Sequence, residues 1–239
     1  MRSLPSFSQF LLLLLLTVTA CRKPPAPPVQ LSPGAELYGR MCAVCHGDKG
    51  QGYKADQAPR LAQPDFQASV TDAALRDAIK NGRTGTTMSA WSKERGGPLT
   101  AQDVEAVIQF LRGFRTTAAV ALDESPVTGD AARAEPVFAR ECSRCHGVRG
   151  VGGPNIQIGN PELLQTASNG FLRHAIKNGR PGTLMPSFSQ TLGAAGIEDL
   201  TALLRTWASP PPPTPAPALP SPIPLGPVSV AMPRPCSSA

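Results

Sequence analysis

The sequence is organised around a duplication. The pattern Cys-x-x-Cys-His occurs at residues 42–46 and again at residues 142–146. The hexapeptide Ala-Ile-Lys-Asn-Gly-Arg occurs at residues 78–83 and at residues 175–180, and Met88 and Met185 repeat with the same offset. The cysteine motifs are 100 residues apart, and the hexapeptide and the methionine are 97 residues apart, so the second copy is three residues shorter between motif and methionine. Several features repeated in the same order at nearly one offset indicate two copies of one structural unit. The chain is therefore predicted to fold as two similar domains.

Cys-x-x-Cys-His is the attachment signature of a c-type haem. Two thiols about one helical turn apart can each form a thioether to a haem vinyl group, and the adjacent histidine can then reach the iron. A thioredoxin-like redox motif or half of a zinc site would need the two cysteines but not the histidine. The pattern thus predicts two covalently bound haem c groups, attached through two pairs of cysteines: Cys42, Cys45, Cys142 and Cys145.

Composition agrees with a small fold built around a cofactor. Aromatic residues make up only 5% of the 239 residues. Two small domains would therefore have small hydrophobic cores without an added apolar group. The net charge of +6 is spread over both copies and the N-terminus. Because no basic stripe is interleaved with aromatic residues, nucleic-acid binding is not expected.

The periodicity of apolar residues predicts an all-α fold. Residues 32–115 form the first predicted domain, residues 116–127 a linker without strong periodicity, and residues 128–208 the second domain. Helices are expected over residues 34–41 and 71–80, and after a capping sequence that begins at Thr100. In the second copy Pro136 indicates either a helix start or a kink.

The N-terminal sequence predicts a secretion signal. Residues 1–20 carry one basic residue and an apolar run too short to span a membrane, which is typical of a signal peptide. The residues that end at Cys21 resemble the lipobox of bacterial lipoproteins, in which that cysteine is lipidated; a soluble secreted protein is the alternative. Residues 21–31 would then form a Pro-rich tether on an extracytoplasmic, membrane-anchored protein.

The C-terminal residues 209–239 are rich in proline and have no apolar face to bury. They are predicted to form an extended or disordered tail. A binding or spacing arm and a tail without a role are both open, and Cys236 within it is predicted to be a free thiol.

With motifs, helices and methionines placed, the chain resembles the class I cytochromes c, in the arrangement of a di-haem cytochrome c with two fused domains. The resemblance covers about residues 32–115 and 128–208. It implies that the motif histidine and a methionine from a loop before the last helix are the axial iron ligands: His46 with Met88, and His146 with Met185. Elimination among the remaining histidines and methionines leads to the same pairs. The family usually has Met-Pro, whereas Ser89 follows Met88.

The resemblance also implies that a proline carbonyl in the loop after each motif accepts a hydrogen bond from the histidine ring. Pro59 and Pro154 are the matching prolines, and ordinary turn prolines are the alternative. His174 occupies the position that Asp77 has in the first copy, so a surface role is expected for it.

Filled axial positions predict electron transfer rather than catalysis, between a donor and an acceptor that are redox proteins. Two alternatives remain. One is a fixed cytochrome subunit of a larger dehydrogenase or oxidase complex, and the other is a haem enzyme such as a peroxidase.

Overall fold

A computed structural model describes residues 31–53 and 57–209. These residues contain α-helices and two short 3-10 helices, with one isolated bridge between Ser92 and Leu99. The predicted signal peptide, Cys21, the tether up to residue 30 and the tail from residue 210 lie outside the described residues. None of the helices described is both long enough and apolar enough to cross a membrane.

Five α-helices form the first domain: α1 Pro33–Met41, α2 Ala43–His46, α3 Pro64–Ser69, α4 Asp72–Asn81 and α5 Ala101–Arg112. Five more form the second: α6 Ala131–Glu141, α7 Ser143–His146, α8 Pro161–Thr166, α9 Asn169–Asn178 and α10 Ser189–Thr206. The all-α prediction is confirmed for the described residues.

The first and last helices of each domain pack against each other. In the first domain a Cβ atom at Gly34 would overlap the carbonyl oxygen of Ala106, so α1 and α5 approach as closely as a glycine permits. Tyr38 is 1% exposed and packs against Phe110 with ring centroids 4.9 Å apart. The predicted apolar face of α5 is buried in this core: Val104, Val107, Ile108 and Leu111.

The second domain has an equivalent core. Phe138 takes the position of Tyr38 and packs edge-on against Trp207 at 4.9 Å. Helix α6 begins at Ala131, where the Asp130 carboxylate accepts from the backbone of Ala132. Of the two possibilities for Pro136, a helix start is therefore wrong, since the helix runs through it.

Two short helices were not predicted. Helices α3 and α8 lie in segments that the sequence indicates as loops. Each begins with a polar cap, a proline and an acidic residue, which is a helix start signal. Gln63 caps α3 and Asn160 caps α8 through the side-chain oxygen.

The same two capping residues join the domains. Gln63 Nε2 donates to the carbonyl of Pro181 at 3.2 Å, and Asn160 Nδ2 donates to the carbonyl of Thr84 at 2.9 Å. Residues of the two copies correspond at an offset of 97, so Gln63 is equivalent to Asn160 and Thr84 to Pro181. The two hydrogen bonds are therefore equivalent, and the two domains are related by approximate two-fold symmetry. Phe66 and Phe171 meet edge to face between the domains, with ring centroids 6.3 Å apart.

Candidate haem-binding sites

Each domain holds a deep, mostly apolar cleft with both motif cysteines on its wall. In the second domain the cleft has a volume of about 440 Å³ and brings together Cys142, Cys145, His146 and Met185. In the first domain Cys42, Cys45, His46 and Met88 line a cavity of about 390 Å³. A flat apolar macrocycle needs apolar walls, thiols at one edge and an imidazole and a thioether within the cleft. The residues of both clefts fit that requirement.

The motif histidines are oriented by backbone carbonyls. His46 Nδ1 lies 3.0 Å from the carbonyl oxygen of Pro59 and donates to it, as expected from the resemblance. Its Nε2 is then the unprotonated atom, which is the form that binds iron. Burial lowers the pKa of His46 and of His146, which favours the neutral ring in both.

The prediction for Pro154 is wrong. His146 Nδ1 donates to the carbonyl of Ile156 at 2.9 Å. The second copy is three residues shorter between motif and methionine, and the structure places that shortening in this loop. Ile156 therefore stands where Pro59 stands, at the offset of 97. A carbonyl from any residue serves, so the proline was a misleading marker.

The thiols of both motifs lie beside the clefts and include two with raised pKa values. The two cysteines of each motif are half-buried and unbridged. Burial first, and the neighbouring Cys45 second, raise the pKa of Cys42 to about 11, and burial also raises that of Cys142 to about 11. Redox-active and zinc-binding cysteines have lowered pKa values instead. In the described part of the chain no cluster of three or more His, Cys, Asp or Glu side chains could hold a metal ion.

The two methionine loops have the same geometry. The Met88 carbonyl accepts from the backbone N–H of Arg83 at 2.8 Å, and the Met185 carbonyl accepts from Arg180 at 3.0 Å. Thr86 and its equivalent Thr183 each hold the loop with the hydroxyl group: the hydroxyl donates to the arginine carbonyl and accepts from the methionine N–H. Ser89, in place of the usual proline, leaves this geometry unchanged.

Two glycines allow these loops to approach the preceding helix. Gly82 and Gly179 end α4 and α9 with φ of 68° and 66°. A Cβ atom at Gly82 would come within 2.5 Å of the Met88 carbonyl oxygen, and one at Gly179 would meet the Met185–Pro186 backbone. The repeated Asn-Gly-Arg sequence is therefore the signal for the position of the methionine, since only glycine combines this φ with so close an approach.

The two clefts open into each other. His46 and His146 both border the cavity that crosses the interface, together with the inter-domain aromatic side chains Phe66 and Phe171. A haem in either cleft would therefore face the other domain.

Charged residues surround this junction. Arg180, with 13% of its side chain exposed, donates to Asp65 of the other domain, and His174 Nε2 donates to the same carboxylate at 2.6 Å. Asn178 Nδ2 lies 2.9 Å from His174 Nδ1. His174 is thus an interface residue, half hidden between the domains, and the expected surface role is incorrect. No sequence pattern indicates this pairing across 109 residues.

Comparison with known proteins adds the family. The family model "Cytochrome C oxidase, cbb3-type, subunit III" matches residues 29–111 and 129–204. The Cbb3-type cytochrome c oxidase subunit CcoP of Azospirillum sp. (strain B510) is 29% identical over 187 residues, which cover 70% of this chain and 58% of the relative. The subunit FixP of Azorhizobium caulinodans is 28% identical over 185 residues, 72% of this chain and 58% of the relative.

The chain thus spans less than two thirds of the length of these relatives. Among solved structures, the Kuenenia stuttgartiensis reducing HAO-like protein complex Kustc0457/Kustc0458 matches with a TM-score of 0.47 and 20% identity, over 77% of this chain and 99% of that chain. We draw no conclusion from a similarity at that level. The family match, in contrast, covers both domains with their cysteine pairs and clefts. The chain therefore belongs to the family of subunit III of cbb3-type cytochrome c oxidases, and it is a c-type cytochrome with two covalently bound haem c groups.

Proposed function

We propose that the chain carries electrons, one on each haem, and passes them between the two haems across the domain interface. The observation that carries this proposal is the continuity of the two clefts, because both motif histidines border one cavity. Electron transfer falls off steeply with distance, so two cofactors that face one another through apolar side chains form a relay.

The axial ligands in this proposal are His46 with Met88, and His146 with Met185. Each pair borders a common cleft, and the two methionine loops are held alike, which supports equal roles. Histidine with methionine raises the reduction potential and fills both axial positions. Such an iron has no vacant position for a substrate, which favours a carrier over an enzyme such as a peroxidase.

The direct test is the mass of the mature protein after acid extraction. Two covalent haem additions are expected, and conversion of Cys142 and Cys145 to Ser should leave one. The matched pair of changes at Cys42 and Cys45 should do the same from the other domain. A single addition in the unmodified protein would contradict the proposal.

The cellular setting is part of the same proposal. A c-type cytochrome with the predicted signal peptide would lie outside the cytoplasm, held to a membrane by lipid on Cys21. The support is the lipobox-like sequence and the Pro-rich residues that follow it. The change Cys21→Ser should release the protein from the membrane fraction or block its processing, and normal cleavage with an unchanged membrane pool would argue against the lipid.

A second candidate is a fixed subunit of an oxidase complex rather than a free carrier. The family and the printed names of the relatives favour it. Purification from detergent-solubilised membranes distinguishes the two. A fixed subunit should elute with other oxidase subunits at constant stoichiometry through two orthogonal columns, whereas a free carrier should elute alone.

A further inference from the structure

One wall of the cleft in the second domain comes from the first domain. Pro59, Arg60, Gln63 and Phe66 all border the space between Cys142 and Met185. Arg60 is bound to the second domain, because its Nη1 donates to the carbonyl of Gly182 at 2.9 Å. The guanidinium therefore stands at the cleft beside the start of the methionine loop.

Arg60 differs from the other charged residues that line this cleft. Arg180 donates to Asp65, and Glu141 accepts from Arg140 at 2.7 Å. Arg60 has no carboxylate within 4.0 Å among residues 31–53 and 57–209, where its one hydrogen bond goes to a neutral carbonyl. It is a half-buried cation that borders an apolar cleft, and the described residues place no counter-ion beside it.

The cleft in the first domain lacks this cation. The offset of 97 residues maps Arg60 onto Gln157, and Gln157 does line the first cleft, from the second domain. Each domain therefore contributes the equivalent residue to the wall of the other domain's cleft. Of these two residues, Arg60 is charged and Gln157 is not. The arginines that border the first cleft already have counter-ions: Arg83 has Asp77 at 3.6 Å, and Arg180 donates to Asp65.

We propose that Arg60 of the first domain binds a carboxylate of the haem held by the second domain and raises the reduction potential of that haem. The inference rests on the proposed electron-transfer function. A haem carries two propionates, and a carboxylate beside an apolar cleft is stabilised by a cation. Reduction adds one electron to the iron, so a nearby positive charge favours the reduced form.

The size of the effect follows from Coulomb's law. One unit charge acting over roughly a nanometre at an effective dielectric constant of about 20 changes a one-electron equilibrium by about tenfold. Tenfold corresponds to about 59 mV for one electron. The two haems are thereby made unequal, and electrons collect on the second domain unless another residue compensates.

The test is a spectroelectrochemical titration of the full-length di-haem protein. Arg60→Gln should lower the reduction potential of one haem by about 59 mV, which is a tenfold change in its one-electron equilibrium constant. The potential of the other haem should stay the same. Arg60→Lys keeps the charge and should restore most of the potential. Arg95→Gln removes an exposed arginine that lines neither cleft and should change neither potential. Gln157→Arg should raise the other potential.

Substitution of one proposed methionine ligand shows which electrochemical wave belongs to which haem. In a Met88→His background, which moves the first haem to low potential, Arg60→Gln should still shift the remaining wave. In a Met185→His background the remaining wave should not respond. If a background variant does not fold, the opposite effects of Arg60→Gln and Gln157→Arg on different waves make the same assignment.

The proposal is overturned if Arg60→Gln shifts neither wave, or if Arg60→Lys shifts a wave as far as Arg60→Gln does. The second result would mean that the bond to Gly182, rather than charge, is what matters. Failure of the electron-transfer function is seen separately, in the unmodified protein, as a haem that binds carbon monoxide or has no reversible wave.

Discussion

Thr86 and Thr183 hold the two methionine loops by the same pair of hydrogen bonds. Each hydroxyl donates to a backbone carbonyl at 2.7 Å and accepts from the methionine N–H at 3.1 Å. A loop fixed at both ends in this way holds its methionine over the cleft without help from the following residue. This explains why Ser89 can replace the usual proline.

Removal of one such hydroxyl should loosen the methionine. The change Thr86→Val keeps the shape and removes both bonds, which should cost about 1 kcal/mol and increase displacement of Met88 by added imidazole about fivefold. The matched control is Thr87→Val, because Thr87 borders the same cleft but its hydroxyl makes no hydrogen bond with the described residues. The measurement is an imidazole titration followed at the haem absorption bands. Equal affinities for the two variants would contradict this role for the hydroxyl.

Residue chemistry was predictable from the sequence where spacing determines it, and not where a loop changes length. The cysteine pairs, both histidines and both methionines border their clefts as the repeat predicts. Pro154 failed as a marker because the hydrogen bond needs only a carbonyl, and the shortened loop presents that of Ile156.

Among the larger elements, the linker is more than a connection. Arg173 donates to the carbonyls of Asp123, Ser125 and Pro126 at 2.9–3.1 Å. Arg173 also forms an ion pair with Glu198 of α10 at 2.7 Å. Residues 116–127 contain no helix, but this contact fixes their end to the second domain.

This contact should depend on pH. The Arg173 hydrogen bond, above other causes, lowers the pKa of Glu198 below its ordinary value. A depressed carboxylate pKa stabilises the folded state at neutral pH, and the contribution is lost as the pH falls below the ordinary pKa of a glutamate and through the lowered value in the folded state. The change Glu198→Gln should therefore lower the unfolding midpoint at pH 7 and make that midpoint less sensitive to acid.

Denaturant unfolding of the haem-loaded protein at several pH values measures this, with hydrogen exchange in residues 116–127 as a local readout. Glu36→Gln is the control, because Glu36 is exposed on α1. If the two variants lose stability equally at pH 7, the linker contact does not contribute as described.

Element prediction succeeded where helices are long and amphipathic, as for α4 and α5. It failed for α3 and α8, which have six residues each. Segments this short have no periodicity to detect, and their cap and proline are the whole signal.

At the scale of the whole molecule, the interface has an imperfect two-fold relation. Asp65 accepts from His174 and from Arg180. Its equivalent Glu162 has a buried Oε2 without a hydrogen-bond partner among the residues described. The carboxylate of Asp65 thus has hydrogen-bond donors across the interface, whereas one oxygen of the equivalent Glu162 has none among the residues described.

The two positions should respond differently to loss of charge. Asp65→Asn leaves the half-buried Arg180 without its counter-ion and should cost about 3 kcal/mol of unfolding free energy. Glu162→Gln removes a poorly matched carboxylate and should be within about 0.5 kcal/mol of neutral. Denaturant unfolding of both variants tests this, and equal losses would contradict the asymmetry.

The interface itself could not be predicted from the sequence. Its contacts join residues far apart in the sequence, from 76 positions for Asn160 with Thr84 to 122 positions for Arg60 with Gly182, and single charged side chains have no periodic pattern. The repeat predicts two domains, but their relative placement depends on these isolated pairs.

We propose that both haems are held by histidine and methionine, with no open iron. The weak sulfur-to-iron absorption band of the oxidised protein tests this, when it is quantified per haem and paired with carbon monoxide binding after reduction. We expect a band of the strength appropriate to two haems and no carbon monoxide complex. Half the band, together with carbon monoxide bound at one haem, would contradict it.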